Sequence, residues 1–300
     1  MRYFILLTGI TAIFIVTVLN FYPEECKEFI YNIVNKNEYV IAVANDYYLE
    51  GNFRHFKNWT DDVSSKEELI NYIYYVINTG SEYADGECTK EYTNCIQDLN
   101  DIAHDEEALS IINNFVHPYN SFKTISFSYN EYGKFSLIIE HIYSQEEITA
   151  INYVVDTKIK NDIKDTMTTE EKIKKIHDYI IDSTRYDVLK KDNIHDDTYK
   201  SNTAYGVLIQ GYGICSGYSD TMAIFLNKLG IENYKISNTS HIWNLVHING
   251  VWRHLDSTWD DPISDNNLNR DTYFLISTEE LIKFKDETHD FDQNIYTEAK

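Results

Sequence analysis

Asn249-Gly250 stands between two apolar runs, 242–248 and 251–256. Few dipeptides restrict a chain more tightly. Both residues tolerate the positive φ that a two-residue hairpin loop requires, so the runs are predicted to be adjacent antiparallel strands. A third run, 233–237, precedes them and reads as another strand. Before it, Gly211 and Gly213 bend the chain, and 216–229 reads as a helix stopped by Gly230. The order is thus a helix followed by an antiparallel sheet.

Thr168-Thr169-Glu170-Glu171 is a capping signature for an earlier helix through about residue 181, with Ile173, Ile176, Ile180 and Ile181 as its buried stripe. Residues 183–202 are polar and expected as a long loop, 203–209 as a short helix, 272–276 as a further strand and 278–284 as a helical turn. Upstream, apolar residues recur at helical spacing over 66–77, with Gly80 as the stop, and a second helix is predicted over 96–115, before Pro118. Alternation over 123–129, a turn at 130–133 and an apolar run over 134–143 predict a β-hairpin, and 146–163 returns to helix. Residues 60–165 therefore read as a small α/β module whose patterning says nothing of chemistry.

Chemistry enters with Gln210-Gly211-Tyr212-Gly213-Ile214-Cys215-Ser216-Gly217, then His241, then Asp256. A thiol, an imidazole and a carboxylate are the parts of an activated sulfur nucleophile. Cys215 falls where loop becomes helix, and the amide groups of a helix start favour an anion. A lone cysteine before an apolar helix is more often a buried structural thiol, and His241 and Asp256 weigh against that. Gly213 and Gly217 are expected to allow close approach of a substrate backbone. His254, two residues from Asp256, is a candidate for the site wall, whereas His247 is expected at a strand end in solvent. Trp243, Trp252 and Trp259 are expected in the core, though Trp243 and Trp259 adjoin site residues and can shield an acyl-enzyme from water. The Cys215 N–H and Gln210 are candidate oxyanion donors, with Tyr212 at the site or packing. Asp265, Asn267, Asn269 and Asp271 alternate like calcium ligands. Arg270 and Ile276 occupy positions where such a loop needs Gly and Glu, so no metal site is read there. His195-Asp196-Asp197 reads as solvated loop.

Four stretches together resemble the transglutaminase-like superfamily in its bacterial form. Tyr212-Gly213-Ile214-Cys215-Ser216-Gly217-Tyr218-Ser219 is similar to its nucleophile motif, and Ser240-His241-Ile242-Trp243-Asn244 to its His-x-Trp-Asn strand. Asp256-Ser257-Thr258-Trp259-Asp260-Asp261-Pro262 resembles its Asp-x-Thr-Trp-Asp-Asp-Pro segment, and Tyr273-Phe274-Leu275-Ile276-Ser277 the strand that commonly follows. The resemblance covers about residues 168–290. It implies an α+β, papain-like core in which the helix bearing Cys215 packs on an antiparallel sheet bearing His241 and Asp256. Cys215 would be the nucleophile, His241 base and then acid, and Asp256 the orienting group, with no cofactor. The implied reaction is attack on a peptide or carboxamide carbonyl through a thioester, resolved by water. Amine transfer, giving cross-linked protein, and a silent peptide-binding scaffold are the other readings.

Residues 3–19 are continuously apolar or small, with Arg2 before them and Glu24 and Glu25 after. They read as an uncleaved signal anchor with the body outside the cytoplasm, or as a cleaved signal that leaves the body secreted. Cys88 and Cys95 are spaced to close a small disulfide loop in an oxidising compartment, against two unrelated thiols or a zinc half-site. Cys26, just past the apolar run, is left over. The formal net charge of −22 disfavours nucleic acid as a partner and reads first as a solvated acidic surface, or else as a field that steers cationic peptides or wall polymers; the expected partner is a protein or peptide substrate of the cell surface or wall. The expected division is an anchor at 1–20, an α/β module of unassigned role at 21–165 and a catalytic domain at 166–300.

Overall fold

The computed structural model describes residues 39–50, 60–130, 132–193, 195–261 and 270–300. The expected anchor at 3–19, Cys26, and Asp265, Asn267 and Asn269 lie outside the described residues. Among those described, no helix is long and apolar enough to cross a membrane.

The first half mixes helix and sheet. β1 (Asp62–Val63) leads into α1 (Lys66–Thr79), capped by the Ser65 hydroxyl accepting from the Glu68 N–H and ended by Gly80. β2 (Tyr83–Cys88), α2 (Cys95–Ala103), α3 (Glu106–Ile112), β3 (Phe122–Tyr129), β4 (Lys134–His141) and α4 (Gln145–Asp162) follow. The sheet order is β1-β2-β4-β3, with β3 and β4 as the expected antiparallel hairpin. The helix predicted over 96–115 is two helices, because the Asp105 carboxylate accepts from the Ala108 N–H at 2.9 Å and starts a new one. Nothing in the sequence had announced β2. Its inward positions, Ala84, Gly86 and Cys88, are small, so its alternation carries little hydrophobic contrast. A disulfide joins Cys88, at the end of β2, to Cys95, at the start of α2.

The second half runs α5 (Thr169–Ser183), β5 (Arg185–Tyr186), α6 (Val188–Asp192), a helical turn Gly206–Gln210, β6 (Tyr212–Gly213) and α7 (Cys215–Lys228). β7 (Asn233–Ser237), β8 (Ile242–Ile248), β9 (Val251–Leu255) and α8 (Thr278–Lys283) complete it. Thr168 and Glu171 form the predicted reciprocal cap of α5. Asn249 and Gly250 take φ values of 53° and 80°, which makes the β8–β9 loop the turn their chemistry demands. Two expectations fail. Residues 183–202 are not all loop, since β5 pairs in parallel with β6. Residues 272–276 form no strand, because Leu275 turns the chain at φ 53° and only Ile276 bridges to His254.

The antiparallel sheet β7-β8-β9 is covered on both faces, and β8 shows why its sequence is apolar almost throughout. Trp243 and Leu245 join Tyr234, Phe115 and Tyr296 in one core, while Val246 and Ile248 meet Met222, Phe225 and Leu226 of α7 in another. Each core draws on both halves of the chain, since the second also contains Ile148, Ile151 and Val155 of α4. Each fully buried apolar side chain of α7 stabilises the fold by roughly 1.5–3 kcal/mol. The helix is thus held rigidly across the sheet.

Candidate active site

Cys215 is the first residue of α7. Ile214 before it is extended (φ −115°, ψ 178°) and gives no side-chain cap, so the first-turn amides are not consumed by one. The loop is held from behind, where the Ile214 N–H donates to the Ser201 carbonyl at 2.9 Å. Gly217 was expected to admit a substrate, but the chain itself uses the space. A Cβ there would lie 2.3 Å from the Ser201 carbonyl oxygen and 3.1 Å from that of Thr203. Gly217→Ala is therefore expected to lower stability by about 1–3 kcal/mol, as overpacking against backbone does. A thermal melt that matches the parent would sink that account.

His241 enters from the bend between β7 and β8. Asn238 makes that bend, its Oδ1 accepting from the N–H groups of Ser240 at 2.8 Å and His241 at 2.9 Å. Asp256 follows the last residue of β9, where Leu255 pairs with Asn244 of β8. The hairpin register thus sets the two side chains beside each other, and His241 Nε2 donates to Asp256 Oδ2 at 2.5 Å. The Cys215 side chain adds to the field at the ring, after Asp256. Exposure falls along the series: Cys215 is partly exposed, His241 is 8% exposed and Asp256 1%.

The electrostatics follow from those contacts. Burial would lower the His241 pKa, but the charge and hydrogen bond of Asp256, joined by Cys215, outweigh it and raise it to about 10. For Asp256, burial opposes ionisation, while His241 and then His289 hold the carboxyl well below the usual range. Its Oδ1 accepts from the N–H groups of Thr258 at 2.9 Å and Trp259 at 3.2 Å, and its Oδ2 from His289 Nε2 at 2.9 Å. Asp256 thus favours the charged imidazole in spite of burial, and an imidazolium beside sulfur is the partner a thiolate nucleophile requires.

The other predicted residues separate clearly. Trp259 is 46% exposed and lies edge-on to His241 at 6.3 Å between ring centroids, so it borders the site from solvent. Trp243 is 1% exposed and stacks under the His241 ring at 5.6 Å. His254 does not reach the site wall. Its Nδ1 accepts from Trp243 Nε1 at 3.0 Å and its Nε2 donates to Thr278 Oγ1 at 2.9 Å, while burial, with His289 and Arg253 nearby, pushes its pKa down to about 3. It is a neutral prop behind Trp243. Gln210 is engaged elsewhere, its Oε1 accepting from the Lys200 N–H at 2.8 Å. Tyr212 packs, stacked on Tyr199 at 3.9 Å. His247 bonds Glu232 at 2.7 Å and stacks on Trp252. His195 is exposed loop as expected, and Asp271 pairs with Lys174 at 3.0 Å. Asp260 and Asp261 are tethers, to His177 and Tyr218 respectively.

Two residues at the site had no sequence signal. Tyr186 lies near Cys215 and Asp256, its hydroxyl pKa raised by burial first and then by Cys215, Asp187 and Asp256. Its pairing with Gly213 across β5–β6 brings it there, and only that register would have found it. His289, the second ring on Asp256, lies 33 positions away in no recognisable motif. The ligand-type atoms of His241, Asp256 and His289 lie within 4.8 Å of one another. At 2.5 Å, however, His241 Nε2 and Asp256 Oδ2 are a hydrogen-bonded pair. Two ligands of one tetrahedral ion, each bonded at about 2.0 Å, would stand roughly 3.3 Å apart.

Residues 157–257 match the family model for the transglutaminase-like superfamily. A solved structure described as a crystal structure of a TGase is similar at 18% identity and a TM-score of 0.36, covering 51% of this chain and 48% of that one. The match therefore spans about half of that protein's length. No curated protein matches the chain.

Proposed function

We propose, from the match of residues 157–257 to the transglutaminase-like superfamily, a cysteine acyl-transfer enzyme in which Cys215 attacks, His241 moves the proton and Asp256 orients the ring. The observation that carries this reading is a single buried imidazole bonded to the buried Asp256 carboxylate at 2.5 Å and influenced by the Cys215 side chain. A silent scaffold has no use for such a pair.

The sulfur adds to a peptide or carboxamide carbonyl, and the developing oxyanion meets the free amides at the start of α7. His241 hands its proton to the departing nitrogen as the C–N bond breaks and a thioester forms. Water then adds to the thioester with His241 as base, the C–S bond breaks, and thiol and acid are regenerated. Hydrolysis is favoured over amine transfer because the site is open to water. Trp259, the aromatic at its edge, is itself half exposed and does not cover a partly exposed Cys215.

The body is placed outside the cytoplasm, on a protein or peptide substrate at the cell surface or wall. Residues 3–19 would serve as its anchor, and the Cys88–Cys95 disulfide is consistent with an oxidising compartment. The test is direct. Iodoacetamide should label Cys215 near neutral pH faster than a free thiol, and that advantage should disappear in His241→Ala. Ammonia or peptide release from a glutamine-containing peptide, without uptake of a labelled primary amine, identifies hydrolysis. Amine uptake would establish the cross-linking alternative.

A further inference from the structure

Asp256 is gripped from a second side. His289 sits in the turn Glu287–His289, 4% exposed, with Nε2 2.9 Å from Asp256 Oδ2 and Nδ1 2.8 Å from Asp286 Oδ2. The ring is buried between two carboxylates, one at each nitrogen. The order Asp286, His289, Asp256, His241, Cys215 thus alternates acid and base from the surface, through the core, to the sulfur.

The surroundings fix this ring as tightly as they fix His241. Tyr273 stacks on it at 4.6 Å, and Trp243 and Trp259 meet its faces or edges at 5.0 and 5.3 Å. The Nδ2 of Asn238 donates to the carbonyls of Thr288 at 2.8 Å and Asp290 at 2.7 Å. Its Oδ1 meanwhile holds the His241 N–H. One side chain therefore registers both histidines against the same carboxylate. A charged cluster buried in this way is weak as a stabilising device, since apolar packing does as well. Its geometry instead matches a positioning task.

We propose that His289 is a positioning residue. It pins Asp256 Oδ2 so that the oxygen's remaining lone pair meets His241 Nε2, and it divides the carboxylate's charge between two rings. This rests on Cys215 and His241 acting as nucleophile and base. His289 lies beyond residues 157–257, so the part of the chain that completes the site is C-terminal to the matched domain.

The experiment compares wild type, His289→Leu, His289→Gln, Asp286→Asn and His241→Ala in the full chain. It reads the rate of Cys215 labelling by iodoacetamide and the downfield proton resonance of the His241 Nε2–H. His289→Leu should slow labelling roughly 10- to 100-fold, the scale of a hydrogen bond to a charged group, and shift the His241 resonance. His289→Gln, which keeps one N–H for Asp256, should recover part of the loss. Asp286→Asn, a substitution at a more exposed position, should give a smaller loss of the same sign and serves where His289→Leu does not fold. A folded His289→Leu with the parent's labelling rate and an unmoved resonance overturns the proposal. If it does not fold, parent behaviour of Asp286→Asn does so. His241→Ala labelling as fast as wild type overturns instead the relay on which the proposal rests.

Discussion

Asp256→Asn is expected to reduce turnover by roughly three to four orders of magnitude while leaving a folded protein, as loss of the orienting acid does in a serine triad. The carboxylate receives four hydrogen bonds here, from His241, His289, Thr258 and Trp259. An amide of the same shape offers only one acceptor atom, so its NH2 group must face either the two rings at the Oδ2 position or the N–H groups of Thr258 and Trp259 at the Oδ1 position. In either orientation the negative charge that holds the His241 proton is gone. The change should also alter how stability depends on pH. The folded-state pKa of His241 lies at about 10 against an ordinary value of 6.5. Its contribution is complete below the unfolded value and is lost as pH rises through the folded one. Wild type should therefore exceed Asp256→Asn in urea stability most clearly below about pH 6.5, with the His241 part of the gap closing towards pH 10. Turnover of a glutamine-containing peptide within tenfold of wild type, or a stability gap that widens as pH rises through that window, would remove Asp256 from its role.

The parts of this site that could be read in advance are those fixed by local chemistry. Asn249-Gly250 dictated a hairpin, the hairpin put Leu255 opposite Asn244, and Asp256 then had to emerge next to His241. Thr168 with Glu171 announced α5 in the same way. What escaped depends on pairing between distant segments. β2 is hidden because its inward residues are small. Tyr186 reaches the site only through a two-residue parallel pairing that no periodicity can encode. His289 arrives from the C-terminal turn by way of Asn238. His254 illustrates the opposite error. Two-residue spacing placed it on the same side as Asp256, but β9 ends at Leu255, so the strand's alternation no longer governs the acid. His254 stays in the core, paired with Trp243. Gly217 likewise has the predicted closeness to backbone, but to the chain's own segment around Ser201.

Asp220→Ala should be the most destabilising single change to the frame that carries the relay. Asp220 lies on α7, and its Oδ1 is 2.6 Å from Lys235 Nζ on β7, with both side chains buried. Its Oδ2 accepts from the Tyr143 hydroxyl at 2.6 Å, and that oxygen in turn accepts from the Ala204 N–H at 2.9 Å. One carboxylate thus joins the helix bearing Cys215, the sheet bearing His241, and the segment after β4. Removing it leaves the Lys235 ammonium in the interior without a counter-charge, beside His117, whose pKa burial and that same ammonium already push down to about 3. Breaking such a pair costs about 3–5 kcal/mol, which in a protein of this size lowers Tm by on the order of 10 °C. Replacing both partners by apolar residues, as in Asp220→Leu with Lys235→Met, should return most of that stability, because a buried ion pair contributes little over good packing. It should not return all of the activity. The helix would keep its apolar packing on β8 and the bond from Asn244 Nδ2 to the Ser219 carbonyl at 2.9 Å, but lose the directional link that sets its register against β7. Calorimetry and Cys215 labelling on the same samples separate the two effects. A double variant with full stability and full labelling would mean that packing alone registers sulfur against imidazole. A single variant with an unchanged Tm would mean that Lys235 finds water or another anion when Asp220 is gone.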